Sequence, residues 1–244
     1  MNLIAIDTAT EACSVALWQN GAVLEHYEVA GRSHSARLPL MFAALLAEAG
    51  LHVSQLDGIV SGIGPGSFAG VRIGVSFAKG LALGSGLPVV GVSSLAMLAQ
   101  AALVARAEAT VLAAIDARMD EVYFGVYRAQ AGVAMLLAPE KVCPAAATAE
   151  LLQALELGAG GGRQIGVGSG WRAHGDALLA SASGNLAEID ALALPHAAAA
   201  LALAAPRFAA GQVQDAATLV PTYLRNRVAL TKVEQEALRQ SKRQ

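Results

Sequence analysis

The sequence is poor in the residues that form covalent cross-links and metal sites. Among its 244 residues are two cysteines and five histidines. Two cysteines provide no disulfide framework. No two histidines lie three or four residues apart, so local spacing offers no pair of metal ligands. We therefore expect no metal and no cofactor, and the sequence identifies no catalytic residue.

Charged residues are also scarce, at 15%, and the formal net charge is −2. This balance argues against a broad nucleic-acid-binding surface, while a hydrophobic fraction of 55% argues against a disordered chain. The longest uncharged run, Gly80–Ala105, is interrupted by proline and glycine, whereas a membrane helix needs about 20 continuous apolar residues. The segment Met1–Asp7 lacks the basic region of a signal peptide. We expect a soluble, cytoplasmic protein with no membrane partner.

The charge that is present is unevenly distributed. Residues 225–244 contain six basic and two acidic residues, a balance of +4, so the rest of the chain carries −6. Such a basic tail suits contact with RNA or with an acidic partner surface. A solvated terminal helix is the simpler interpretation.

Short apolar runs alternate with helical patterns in the first hundred residues. This order predicts an α/β fold with parallel crossovers, and Gln19-Asn20-Gly21 predicts a hairpin turn. The predicted strands are Leu3–Ile6, Cys13–Trp18, Ala22–Val29, Gly58–Gly62 and Val89–Val92, and the predicted helices are Ser35–Ala49 and Gly70–Leu83.

The opening pattern recurs in the second half of the chain. Leu3–Thr10 matches Leu112–Met119 in register, so that Asp7 corresponds to Asp116. The match predicts a duplicated α/β lobe, with lobes at 1–105 and 106–220 and a basic tail at 221–244. The second half further predicts a helix at Ala145–Glu156, a flexible loop at Gly158–Gly162, a strand at Gln164–Gly168 and an alanine-rich helix disturbed by Pro206.

The turn after the first predicted strand, Asp7–Thr10, has two interpretations. A carboxylate followed by small hydroxyl residues can hold a magnesium-bound phosphate. Alternatively, Asp7 bonds its own backbone in an Asx-turn. In the repeat, Arg118 and Met119 stand in the corresponding turn and would crowd a phosphate. Asp7 and Thr8 are therefore weak candidates for nucleotide binding, and tight ATP binding is disfavoured.

Two glycine-rich segments have simpler structural explanations. Gly64–Gly70 joins a predicted strand to a helix with Ser67 as a candidate N-cap. Although a helix N-terminus can bind an anion, the segment matches no phosphate-loop pattern, and we favour a tight structural turn. Gly168–Ala173 fits a dinucleotide fingerprint only weakly, because Trp171 and Arg172 are large.

The predicted helix Gly70–Leu83 carries two parallel ridges. The ridge of small residues consists of Gly70, Gly74 and Ala78, and the ridge of large residues consists of Ile73, Phe77 and Leu81. Each helical glycine costs about 1 kcal/mol relative to alanine, which makes sense where another helix approaches closely. That neighbour is either part of the same lobe or a partner molecule. We predict that these six residues form a protein interface.

Five motifs extend along nearly the whole chain: Ile6–Thr10, Ser33–Ser35, Gly62–Gly74, Asp116–Arg118 and Pro221–Arg225. Together they resemble the TsaB (YeaZ) family, bacterial partners in making threonylcarbamoyladenosine on tRNA. The block Gly62–Gly74 is the most specific, although the family usually has threonine at the position of Ala69. The resemblance implies a duplicated, two-lobed α/β fold of the actin/Hsp70 type (ASKHA, ribonuclease H-like).

The resemblance also implies kinship with the catalytic subunit TsaD, which holds a metal through a His-x-x-x-His motif. The corresponding positions here are Ser94 and Leu98, and leucine cannot be a ligand. The resemblance thus implies a non-catalytic scaffold whose partners are a TsaD-like subunit, a TsaE-like ATPase and a second copy of itself, with tRNA met through the complex. The alternative is an active enzyme of the same fold, either an ATP-dependent phosphotransferase or an M22-type glycopeptidase.

Overall fold

Two mixed β-sheets, one from each half of the chain, organise the fold. The computed structural model describes residues 1–157, 162–182 and 186–225. Most of the predicted tail and most of the predicted loop at Gly158–Gly162 therefore lie outside the described residues.

The N-terminal lobe contains every strand and helix that the sequence predicts for it. Its five strands have the spatial order β3-β2-β1-β4-β5. The hairpin between β2 and β3 turns at Asn20 and Gly21, both with positive φ, as a tight two-residue turn requires. The elements are β1 (Asn2–Asp7), β2 (Ala12–Gln19), β3 (Ala22–Val29), α1 (His34–Glu48), β4 (Gly58–Gly62), α2 (Phe68–Ser85) and β5 (Val89–Val92).

The C-terminal lobe repeats this topology, which confirms the predicted duplication. Its order, β11-β10-β6-β7-β8, is the N-terminal order with each strand replaced by its counterpart. Its second hairpin turns at Ala131 and Gly132, again with positive φ. The elements are β6 (Thr110–Arg118), β7 (Glu121–Gln130), β8 (Val133–Leu136), β9 (Lys141–Pro144), α4 (Thr148–Ala154), β10 (Gln164–Val167), α5 (Ser169–Ser181) and β11 (Leu186–Asp190).

Two further helices, α3 (Ser94–Val104) and α6 (Ala197–Ala209), lie between the sheets. They share one buried apolar cluster with strands of both lobes, including Leu3 and Val60 from one sheet and Val111 from the other. Helix α6 continues through Pro206 to its end, so the proline does not interrupt it.

The start of α6 is capped by strands of the N-terminal lobe rather than by its own N-cap residue, His196. The Ser14 hydroxyl oxygen accepts from the Ala197 N–H at 2.9 Å, and the Glu25 carboxylate accepts from the Ala198 N–H at 3.0 Å. These bonds satisfy helix N–H groups that have no intrahelical partner.

The chain after α6 returns to the N-terminal lobe, which corrects the predicted extent of the C-terminal lobe. Ala216 and Leu219 belong to the apolar cluster beneath α1 and α2. Gln214 pairs through its backbone with Val89 of β5. The predicted lobe 106–220 therefore includes a final segment that packs on the other lobe. None of the helices within the described residues is long and apolar enough to cross a membrane.

Candidate functional site

The turn after β1 is enclosed by the rest of its own lobe. Asp7 is only 2% exposed, and its two carboxylate oxygens accept from the Ala9 N–H at 3.2 and 3.3 Å, as in an Asx-turn. A Cβ added to Gly62 would lie 2.6 Å from Asp7 Oδ2. Desolvation raises the Asp7 pKa to about 7, although the Ala9 hydrogen bond opposes the shift. A carboxylate enclosed in this way has little access to a magnesium-bound phosphate.

Thr8, the other weak candidate, uses its hydroxyl inside the lobe. The Thr8 hydroxyl donates to the Gly70 carbonyl oxygen at 2.7 Å, and the residue is 1% exposed. A Cβ added to Gly74 would lie 2.6 Å from Thr8 Oγ1, and one added to Gly70 would collide with the Thr8 carbonyl oxygen. The glycines allow α2 to lie directly on the β1–β2 turn.

This packing corrects the prediction for the ridge of small residues. Gly70, Gly74 and Ala78 are buried, and the neighbour that Gly70 and Gly74 admit is the β1–β2 turn of the same lobe rather than a partner helix. Ser67 is the N-cap of α2, since its hydroxyl oxygen accepts from the Gly70 N–H at 3.3 Å. The predicted N-cap of α2 is confirmed.

The corresponding turn of the C-terminal lobe carries bulky residues in an unusual backbone conformation. Arg118, Met119 and Asp120 have φ values of 62°, 58° and 59°, a region that non-glycine residues rarely occupy. The Asp116 carboxylate accepts from the Arg118 N–H at 2.8 Å and pairs with the Arg118 guanidinium at 3.1 Å. The Arg118 guanidinium therefore pairs with the Asp116 carboxylate of the same turn, a contact that the sequence analysis did not predict.

The positions corresponding to the metal-binding pair lie on α3 at the centre of the molecule. Ser94 is fully buried, and its hydroxyl oxygen has no hydrogen-bond partner among the described residues. Leu98 is 2% exposed and lies against Gly168, where an added Cβ would be 2.9 Å from its Cδ1. Across the described part of the chain, no group of three or more His, Cys, Asp or Glu residues is arranged to hold a metal ion.

The outer side of α2 forms a shallow apolar groove. Its volume is about 470 Å³, and it is lined by Val53, Ser76, Phe77, Gly80, Leu81, Gly84 and Ser85. A Cβ added to Gly80 or Gly84 would meet nothing within 4 Å. Packing inside the lobe therefore does not require these two glycines. Each costs about 1 kcal/mol in a helix relative to alanine, and we call this surface the α2 groove.

A second exposed surface was missed by the sequence analysis. The Arg72 guanidinium lies over the Phe68 ring, 3.4 Å from its centroid, and 5.0 Å from the centroid of the Tyr223 ring. Both rings are more than half exposed. The spacing of Phe68 and Arg72, four residues apart on a helix, was the available signal for the first contact. No local signal connects Tyr223 to them.

Comparisons with known proteins agree along nearly the whole chain. The family model described as "TsaD: tRNA N6-adenosine threonylcarbamoyltransferase" matches residues 26–233. The tRNA threonylcarbamoyladenosine biosynthesis protein TsaB of Escherichia coli K12 is 42% identical, covering 96% of this chain and 98% of that protein. Its Haemophilus influenzae counterpart is 37% identical, with coverages of 96% and 97%. The solved structure "YeaZ from Pseudomonas aeruginosa" is 40% identical, with a TM-score of 0.79 over 91% of this chain and 99% of that one.

A shorter match connects the chain to enzymes of the same broader group. The tRNA N6-adenosine threonylcarbamoyltransferase of Paracoccus denitrificans is 54% identical over 69 residues, which are 28% of this chain and 19% of that protein. The match therefore leaves most of that enzyme's length uncovered.

Proposed function

The chain belongs to the TsaB (YeaZ) family, and on that premise we propose that it is a non-catalytic subunit in the formation of threonylcarbamoyladenosine on tRNA. The enclosed Asp7 turn is the observation that supports this most. Helix α2 packs directly on this turn, and the Thr8 hydroxyl, which could otherwise contact a phosphate, donates to the Gly70 carbonyl oxygen instead. The catalytic transfer then belongs to a TsaD-like subunit, and the same turn disfavours the phosphotransferase and glycopeptidase alternatives.

A reconstituted reaction tests this role. We expect the TsaD-like and TsaE-like proteins of the same organism to form threonylcarbamoyladenosine on tRNA only when this protein is added. The protein alone should form none, and Asp7→Asn should support the reaction as well as the wild type. Transfer or peptidase activity by the isolated protein, abolished by Asp7→Asn, would contradict a non-catalytic role.

The α2 groove is the proposed contact with the TsaD-like subunit. Phe77 and Leu81 line it, and each large apolar side chain that becomes fully buried contributes about 1.5–3 kcal/mol. Gly80 and Gly84 leave space for a helix to approach, and nothing within the lobe uses that space. The TsaD-like relatives share sequence with this chain, so an equivalent helix is a suitable occupant. Self-association through the same groove and binding of a TsaE-like ATPase are further parts of the proposal.

Substitution of Gly80 by leucine separates this contact from folding. Because a side chain at Gly80 meets nothing within 4 Å, Gly80→Leu should leave the monomer folded and weaken association with the TsaD-like subunit at least tenfold. Sedimentation measures the association, and thermal melting measures the fold. Gly175→Leu is the matched control, since Gly175 lies on α5 of the other lobe and is equally open. Wild-type association by Gly80→Leu would locate the interface elsewhere.

A further inference from the structure

Phe68, Arg72 and Tyr223 form an exposed cluster that we call the aromatic–arginine patch. Phe68 is 66% exposed and Tyr223 is 54% exposed, although burying aromatic rings is favourable. Arg72 lies between them, and its Nη1 donates to the Phe68 carbonyl oxygen at 2.9 Å. That bond fixes the guanidinium beside both rings.

The segment that carries Tyr223 is held at both ends. On one side, the Thr222 N–H donates to the Ile63 carbonyl oxygen at 2.8 Å. On the other, Arg225 donates to the Glu121 carboxylate and to the Arg118 carbonyl oxygen in the β6–β7 turn. The Tyr223 ring therefore lies on a short segment, residues 222–225, that is bonded to both lobes and that we call the strap. Because this segment is already held in place, a ligand that binds to the ring loses little free energy to ordering it.

Charge around the patch favours a polyanion over an apolar partner. Arg118 and Arg225 are paired with carboxylates, whereas Arg72 forms no ion pair within the described residues. The chain beyond the strap, residues 226–244, contains five basic residues and two acidic ones. The two aromatic rings, with an arginine that is not in an ion pair among the described residues, therefore lie next to the point at which the most basic segment of the sequence, residues 226–244, begins.

We propose that the aromatic–arginine patch binds unpaired nucleotides of an RNA. Bases stack on exposed aromatic rings irrespective of sequence, and arginine adds cation–π and phosphate contacts. Sequence-specific and structural recognition of RNA commonly uses single-stranded loops whose bases can stack in this way. The proposal rests on the proposed function for the kind of RNA, which is then tRNA met directly by this chain as well as through its partner.

Binding to a labelled oligonucleotide tests the patch on the full chain. The probe is a fluorescein-labelled single-stranded RNA of 12 nucleotides and mixed sequence, compared with the same strand annealed to its complement, and anisotropy reports binding. We expect the single strand to bind more tightly. Phe68→Ala and Tyr223→Ala should each weaken it about tenfold or more. Leu192→Ala, which removes an exposed apolar side chain elsewhere, is the control.

Variants of the charged groups separate the two contributions. Arg72→Gln should weaken RNA binding and make it less dependent on salt. The double variant Lys242→Gln/Arg243→Gln should also weaken RNA binding and reduce its salt dependence. Phe68→Ala should weaken binding by the same factor in this double variant as in the wild type. The Phe68, Tyr223 and Leu192 variants should melt like the wild type, because these three side chains are exposed.

The outcome is decided in the isolated protein and again in its complex with the TsaD-like subunit. Binding that neither ring substitution weakens in either setting overturns the proposal. The proposal is also overturned if Phe68→Ala binds RNA as the wild type does but no longer associates with the TsaD-like subunit. That result would assign the patch to a protein interface. RNA binding by the patch in a protein that fails the reconstituted reaction would uphold the patch and refute the proposed function.

Discussion

Asp7 is the residue at which burial most directly affects the protonation of the folded state. Its carboxyl group is buried against Gly62 of β4, and desolvation raises its pKa from 3.8 to about 7. Between these two values the folded protein binds more protons than the unfolded chain. The stability contributed by protonated Asp7 is therefore complete below about pH 4 and is lost as the pH rises toward 7.

Asp7→Asn should remove this dependence. Asparagine is neutral at every pH, and its side-chain oxygen can still accept from the Ala9 N–H. We expect little change in the free energy of unfolding at pH 4 and a gain of up to roughly 4 kcal/mol at pH 8, from a shift of about three pKa units at 1.36 kcal/mol each. Urea unfolding at both pH values measures the difference. Asp120→Asn, in an exposed turn, is the control, and an equal gain at both pH values would contradict the assignment.

At the scale of single elements, α2 has two faces that resemble each other in sequence and differ in environment. Gly70 and Gly74 lie against Thr8, whereas Gly80 and Gly84 border open space. The inner glycines are required by close packing inside the lobe. Packing inside the lobe does not require the outer glycines, and their presence is consistent with a neighbour outside the lobe.

Alanine at one glycine of each face should have opposite effects on stability. Gly74→Ala places a methyl group 2.6 Å from Thr8 Oγ1, whose hydroxyl donates a hydrogen bond to the Gly70 carbonyl oxygen. We expect this overpacking to lower the free energy of unfolding by about 1–3 kcal/mol. Gly80→Ala should instead stabilise the isolated protein by up to about 1 kcal/mol, because alanine is the better helix former. Thermal and urea unfolding of both variants measures the contrast, and destabilisation by both would mean that the outer face is also packed.

The same helix illustrates what sequence patterns determine. Strand and helix positions follow from local periodicity and turn residues, and the Asn20-Gly21 hairpin is a local event. Periodicity also gives the two ridges of α2, but both repeat every four residues. Which ridge faces inward depends on Thr8, far away in the chain. The approach of Tyr223 to Arg72 is likewise a product of the fold, so no local pattern predicts it.

At the scale of the whole molecule, the two lobes share one interior. Helices α3 and α6 lie between the sheets, and Leu95 of α3 is fully buried in a cluster that includes Leu3 of one sheet and Val111 of the other. The returning segment that ends at Leu219 adds a second connection to the N-terminal lobe. Buried side chains fill the region around α3 and α6, so the two lobes are joined through a packed interior.

A shared interior predicts that both lobes unfold together. The two tryptophans report on separate lobes, because Trp18 is in β2 and Trp171 is in α5. Trp171→Phe leaves the N-terminal reporter, and Trp18→Phe leaves the C-terminal one. For each variant, fluorescence and circular dichroism should give coincident urea transitions. Adding Leu95→Ala to either should lower the unfolding free energy by about 2–5 kcal/mol, the usual cost of emptying a buried leucine site. A shift seen by one tryptophan alone would mean that the lobes are independent, and the scaffold would then be flexible between them.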